Sequence, residues 1–225
     1  MKNHILFIVL VSCSSFLLGQ VNEIGLSIGG SNYVGDVGKN YYIYPDKPAG
    51  ALFYKFNYNP RIALRATYSF LPIQGNDLDA DIQFRKDRGI NFSNTIHELA
   101  LGIEYNFYEY NVAEEGKTWT PYLLIEVAGF KYTNVVEHIA GSAPVFGNKT
   151  SFAIPFGLGF KSKLYRSLAF ALETKIRYTF EDDLDYVSNS TPNVNIEGTG
   201  NDWYMFTGFS LIYTFGRPPC YKDGF

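Results

Sequence analysis

Apolar and polar residues alternate with a period of two along most of this chain, which is the mark of a strand with one apolar and one polar face. The clearest stretch sets Ile62, Leu64, Ala66, Tyr68 and Phe70 against Arg61, Ala63, Arg65, Thr67 and Ser69. Before it, Ile24, Leu26 and Ile28 oppose Gly25, Ser27 and Gly29, and Leu52, Tyr54, Phe56 and Tyr58 oppose Ala51, Phe53, Lys55 and Asn57. After it, Leu99, Leu101, Ile103, Tyr105 and Phe107 alternate with Glu98, Ala100, Gly102, Glu104 and Asn106. A weaker run from Tyr122 to Phe130 places Leu123, Ile125 and Val127 opposite Glu126 and Ala128. Three more follow: Phe152 to Lys161, Phe170 to Tyr178, and Met205 to Phe215. No intervening stretch keeps a helical period for three turns. Eight strands are predicted, and the chain is all-β.

The faces decide between a soluble sandwich and a membrane barrel. In a sandwich the large apolar residues share a core and the other face is wet. In a barrel of the outer-membrane type the apolar face meets lipid and the other fills the lumen. Here the second face is rich in Gly, Ala and Ser with charges at intervals, which suits a narrow, crowded interior. Connections support the barrel. Tyr58-Asn59-Pro60 and Lys163 to Ser167 are tight and Glu109 to Thr120 is intermediate. Tyr33 to Pro48, Leu71 to Asn94, Lys131 to Thr150 and Glu181 to Asp202 read as long. Bacterial barrels combine short periplasmic turns, long external loops and an even strand number. An eight-stranded antiparallel transmembrane β-barrel of the outer membrane, both termini periplasmic, is therefore expected. Pro155 deletes a ladder hydrogen bond, so a bulge or distortion is expected there.

Composition sharpens this picture. The 225 residues include 18 tyrosines and 19 phenylalanines, many at strand ends (Tyr68, Phe70, Tyr105, Phe107, Tyr178, Phe180, Tyr213, Phe215) together with Trp203, as aromatic girdles require. A net charge of −3 and a charged fraction of 18% offer no basic stripe for nucleic acid. Lys2 and His4 precede an apolar stretch, Ile5 to Leu18, that is short for a membrane helix and reads as a signal peptide, 1–19, cleaved after Gly19. The alternative, a lipoprotein box at Leu10-Val11-Ser12-Cys13 acylating Cys13, would leave an apolar core at the lower limit of length. The barrel then spans 20–215 and a periplasmic tail 216–225. Only Cys220 remains after ordinary cleavage, so no internal disulfide is expected.

An eight-stranded barrel has an interior that side chains just fill. The inward charges are Lys55, Arg61, Arg65, Lys161, Lys175 and Arg177 against Glu98, Glu104, Glu126 and Glu173, expected to pair across neighbouring strands as a structural plug. Candidates for chemistry are few. His97 with Ser93 is a conceivable lipid-cleaving pair at the interface, but closeness in sequence is not triad geometry. His138 has no convincing partner, and Glu181-Asp182-Asp183-Asp185 lacks the spacing and turn glycine of a calcium loop. No phosphate loop or zinc spacing occurs. The expectation is a non-enzymatic protein without cofactor.

Several motifs, in order, resemble those of PorG-type outer-membrane proteins. They are Gly29-Gly30-Ser31-Asn32-Tyr33-Val34-Gly35-Asp36, Asn59-Pro60-Arg61-Ile62-Ala63-Leu64-Arg65, and Phe84-Arg85. Next come Ile96-His97-Glu98-Leu99, Glu104-Tyr105-Asn106-Phe107 and Thr120-Pro121-Tyr122, then Tyr213-Thr214-Phe215-Gly216 with Cys220 beyond. That resemblance implies an accessory component of the type IX secretion and gliding machinery, tethering a periplasmic lipoprotein ring to the outer membrane. Carried to this chain, the implied contact residues are Asn57, Asn59, Pro60, Glu109, Tyr110, Lys163, Arg166, Arg217, Cys220, Tyr221 and Lys222. The partners implied are that ring, other secretion components and outer-membrane lipid. Two alternatives stand beside it: a stand-alone binding or adhesion barrel using its external loops, and a lipid-modifying barrel enzyme.

Overall fold

The computed structural model describes residues 22–111, 118–137, 144–187 and 200–216. It contains eight strands: β1 (Asn22–Val34), β2 (Lys47–Asn57), β3 (Ile62–Asn76), β4 (Asn91–Asn106), β5 (Trp119–Glu137), β6 (Val145–Tyr165), β7 (Leu168–Thr179) and β8 (Trp203–Phe215). A short helix, α1 (Gln83–Arg88), interrupts the β3–β4 connection. Each strand pairs antiparallel with the next, and β8 closes onto β1 from Asn22↔Phe215 to Val34↔Trp203. Within the ring, closure leaves no free sheet edge.

The period-two pattern explains the ring's two surfaces. Ile28, Leu99, Leu101, Val127, Phe152 and Leu158 point outward and are each more than 60% exposed. Their in-strand neighbours point inward, and all but Gly29 and Gly102 are buried. So broad an apolar belt around a closed ring would be a severe liability in water and is the required surface in lipid. Aromatics flank it. At the end carrying Asn22 and Phe215, the base, Tyr105 packs on Phe107, Tyr108 on Trp119 and Tyr213 on Phe215. At the opposite end, the crown, His97 lies beside Phe70 and Tyr178 packs on both Phe180 and Trp203. Among the described residues no helix is long and apolar enough to cross a membrane. The strands are the crossing elements of an outer-membrane β-barrel.

Three expectations need correction. The stretch Lys131 to Thr150 is mostly strand, paired from Lys131↔Thr150 to Val135↔Phe146, and β4 starts at Asn91 rather than near Glu98. Above the lipid belt both strand faces meet polar surroundings, so the period that reveals a strand fades. Consequently connection lengths do not alternate strictly: 107–118 is longer than 138–144. The asymmetry lies in β3 to β6, which rise beyond the ring as a wall at the crown. Finally, the distortion expected at Pro155 is a gap in the ladder rather than a bulge. The β5–β6 ladder stops at Ile125↔Phe156 and resumes at Ala128↔Ala153 in the same register, a gap consistent with the proline's missing N–H. Register shifts lie elsewhere, between Val135 and Glu137 and between Lys163 and Tyr165.

Candidate functional site

The lumen is filled by an ionic network. Glu23, Glu98, Glu104, Glu126 and Glu173 are buried with Lys55, Arg65, Lys161, Lys175 and Arg177. Glu104 is the hub nearest the base, 2.6 Å from Lys161 Nζ, 2.7 Å from Lys55 Nζ and 3.4 Å from Arg65. Arg65 also donates to both oxygens of Glu173, at 2.5 and 3.2 Å, and the Tyr122 hydroxyl donates to the same carboxylate at 2.7 Å. Above them Lys175 and Thr67 both donate to Glu126 at 2.8 Å. Nearest the crown, Glu98 accepts from Arg177 at 3.0 Å, from Tyr204 at 2.8 Å and from Ser69 at 3.1 Å.

Neighbouring strands are joined as the strand pattern suggested only by the looser pairs, Arg65–Glu104 at 3.4 Å and Lys55–Glu23 at 3.8 Å; the tight pairs reach further. They link β2 to β4, β4 to β6, β5 to β7, β4 to β7, and β3 to the opposite wall at β7. The interior is narrow enough that a long side chain reaches across it. Glycines make the room: a Cβ on Gly25 would lie 2.1 Å from the Phe53 ring, and one on Gly159 would lie 2.4 Å from that of Tyr122.

Arg61 is not part of this network. It lies exposed at the base rim, donating to the Phe107 carbonyl at 2.9 Å and pairing with Glu109 at 3.2 Å, because the β2–β3 turn carries it past the end of the lumen. Of the implied contact residues, Asn57, Tyr110 and Lys163 are buried rather than presented. Tyr110 folds back into the barrel mouth, with Lys161 Nζ 4.4 Å from its ring centroid and its own N–H donating to the Pro60 carbonyl at 3.1 Å. Asn59 closes the turn by accepting from the N–H groups of Arg61 and Ile62. Glu109 and Arg166 are exposed, Arg166 at a positive φ of 42° in the tight β6–β7 turn. Arg217, Cys220, Tyr221 and Lys222 lie outside the described residues, as do 1–21 with the signal segment and Cys13, and His138.

Sequence reasoning missed the organisation of the crown. Asp77 accepts from Gly38 N–H at 3.0 Å, Ile90 N–H at 3.1 Å and Arg88 Nε at 2.7 Å. Burial acts to raise its pKa, but Arg88 and the two N–H donors hold the carboxyl below its ordinary range. Arg85 donates to the carbonyls of Gly35 (2.9 Å) and Gly38 (2.7 Å) and to Asn40. Thus α1, which carries the Phe84-Arg85 motif, clamps the loop that follows the Gly29 to Asp36 motif. Gly38 has φ 86°, and a Cβ there would press on Asn76 and Gly75, so the clamp needs glycine.

A second knot joins β1 to the β7–β8 connection. The Tyr33 hydroxyl lies 2.9 Å from Asp185 and 2.5 Å from Asp202. A single hydroxyl hydrogen cannot serve two carboxylates, so at least one carboxyl brings a proton of its own. Burial pushes both acids up, Asp185 to about 7 and Asp202 to about 8, with nearby acids adding repulsion (Asp36 and Asp182 on Asp185; Asp185 and Asp182 on Asp202). The fold therefore keeps protons that an unfolded chain releases above about pH 4. Crown stability falls as pH rises from about 4 to about 8, then levels off. Amide-exchange protection at Leu184 and Val187, whose N–H groups donate to these acids, is expected to drop at least ~10-fold between pH 5.5 and 8.5, and Asp202→Asn should flatten the response. Equal protection factors at both pH values would contradict the shared proton.

In the same β7–β8 connection Glu181 and Asp183 pair with Lys149 at 2.6 and 3.0 Å. Ser93 and His97 are four residues apart on β4, roughly 13 Å along the strand, and are not brought together. His97 Nδ1 instead lies 2.9 Å from the Tyr68 hydroxyl. Among the described residues no group of three or more His, Cys, Asp or Glu side chains is arranged to hold a metal.

Beside the clamp lies an open cleft of about 340 Å³ between the β1–β2 loop and the raised ends of β3 and β4. Its floor is Tyr33, Val37 and Phe92, and its walls carry Tyr41, Tyr44 and a set of amides and carboxylates.

Solved structures with a similar ring include Ail, the attachment invasion locus protein of Yersinia pestis. It is 11% identical over 88% of this chain and 100% of that one, with a TM-score of 0.48. A major outer membrane protein from Thermus thermophilus is 15% identical over 87% and 99%, with a TM-score of 0.48. The N-terminal β-barrel domain of Pseudomonas aeruginosa OprF is 12% identical over 88% and 98%, with a TM-score of 0.47. No curated protein matches the chain. The family model described as a domain of unknown function, DUF6089, matches residues 2–223, and the chain belongs to that family.

Proposed function

We propose that this protein is a non-enzymatic outer-membrane component of the type IX secretion and gliding machinery, oriented with its base in the periplasm, where it anchors a periplasmic lipoprotein ring. The observation that carries this reading is the lumen. The charges of its network pair with one another inside the barrel, Glu23 alone only loosely, and Tyr110 caps its mouth, so the work of the protein falls to its two ends. At the base, Arg61, Glu109 and Arg166 are exposed, at the same end of the ring as the last residues of β8. The ordered series of PorG-like motifs supplies the partner class. Affinity purification of the tagged protein from gently solubilised outer membranes tests it. Co-purification of a periplasmic lipoprotein with secretion components is expected, and a barrel recovered without them contradicts the role.

A second reading, a binding barrel that works through its crown, is favoured by the cleft and its preorganised walls.

A further inference from the structure

We propose that the crown cleft is a saccharide-binding site. This goes beyond the anchoring role and does not depend on it. The cleft, at about 340 Å³, is large enough for a small ligand. Tyr41 and Tyr44, each a little under half exposed, hold their rings 6.0 Å apart at 49°, with the Lys39 ammonium over the ring of Tyr44. A sugar ring offers such a surface an apolar C–H face, while its hydroxyls donate and accept at the edge. The facing wall provides both kinds of partner: Gln74 and Asn76 from β3, Asn91 from β4, and Asp79 between them. At the foot, Asn32 is 4% exposed, its amide nitrogen donates to the Tyr41 and Tyr42 carbonyls, and its Oδ1 has no hydrogen-bond partner. A buried acceptor left open costs about 1–3 kcal/mol, and a hydroxyl donor could serve it with a small movement of the overlying loop.

Charge narrows the class. The cleft carries no arginine, and Lys39 sits 4.7 Å from the Tyr44 ring centroid, so a phosphate or sulfate finds no fork of donors. Asp46 accepts from Gln74 at 2.6 Å and the Tyr41 hydroxyl donates to Asp81 at 2.8 Å, which fixes the rim. With Arg85 and Asp77 clamping the same loop, little ordering is left to be done on binding, which is the condition under which a weakly interacting polar ligand is held. A neutral or amino sugar, one or two rings long, fits these features.

The test uses the full barrel in lipid nanodiscs, probed on an array of neutral, amino and acidic oligosaccharides together with the oligosaccharide released from the same bacterium's lipopolysaccharide. Retention of at least one neutral or amino sugar is expected, weakened more than tenfold in Tyr41→Ala/Tyr44→Ala. Folding of that variant is checked by its heat-modifiable gel shift. Retention of the lipopolysaccharide oligosaccharide identifies a ligand from the same membrane, and retention of other glycans identifies one from outside the cell. No retained glycan, equal retention by the double variant, or a preference for sulfated and phosphorylated glycans would each overturn the proposal.

Discussion

Glu104→Ala should cost the barrel about 3–5 kcal/mol, because it strands two buried ammonium groups and removes one contact of a buried guanidinium at a single stroke. Glu104, Lys55 and Lys161 are all fully buried, and neither lysine has another close carboxylate: Lys55 keeps only Glu23 at 3.8 Å. Glu104→Gln preserves the shape but not the charge and should fall between wild type and Glu104→Ala. Glu23 is the natural control. It is equally buried, yet neither carboxylate oxygen has a hydrogen bond, so its charge is held by one distant partner. Glu23→Gln is therefore expected to stay within about 1 kcal/mol of wild type, since removing a poorly paired buried charge also removes its desolvation cost. Urea unfolding in micelles, followed by tryptophan fluorescence and by gel shift, measures both. Equal losses in the two variants would show that burial alone, not the hub at Glu104, sets the cost.

Leu101→Arg should destabilise the protein in bilayers by about 2–4 kcal/mol, although Leu101 is 64% exposed and packs on nothing inside the ring. In water a change at so open a position normally stays within about 0.5 kcal/mol. Leu101 pairs with Ala66 and Val127 at mid-strand, inside the apolar belt and away from both girdles. Val136→Arg, on the raised end of β5 and similarly exposed, should cost no more than about 1 kcal/mol. Refolding into vesicles at graded urea concentrations separates the two. A cost at Leu101 no larger than at Val136 would remove the lipid belt from the account.

How much of this was readable beforehand follows from what makes a pattern local. Leu99, Leu101 and Ile103 alternate with Ala100, Gly102 and Glu104 because one face meets lipid and the other a packed lumen, and eight such stretches set the ring. The same logic places Lys55, Arg65, Glu98 and Glu173 inside. It fails where the environments of the two faces converge, as from Lys131 to Glu137, which is strand without an apolar face. It fails again at chain reversals, where one residue of turn decides the outcome: Arg61 leaves the lumen and Tyr110 enters it. The crown knots were out of reach for another reason. Tyr33 meets Asp185 and Asp202 across more than 150 residues, and nothing local to any of the three announces the contact. Arg85 and Gly35 were visible only as fragments of a family resemblance, and the structure gives that pairing a physical purpose.

The anchoring role is tested most directly by photo-crosslinking in living cells from single positions at the two ends. With a benzophenone side chain replacing Arg61, Glu109 or Arg166 at the base, adducts to a periplasmic lipoprotein of the secretion apparatus are predicted, and none with it replacing Tyr44 at the crown. Adducts to such a protein from Tyr44 alone, or none from any base position, would contradict both the orientation and the role.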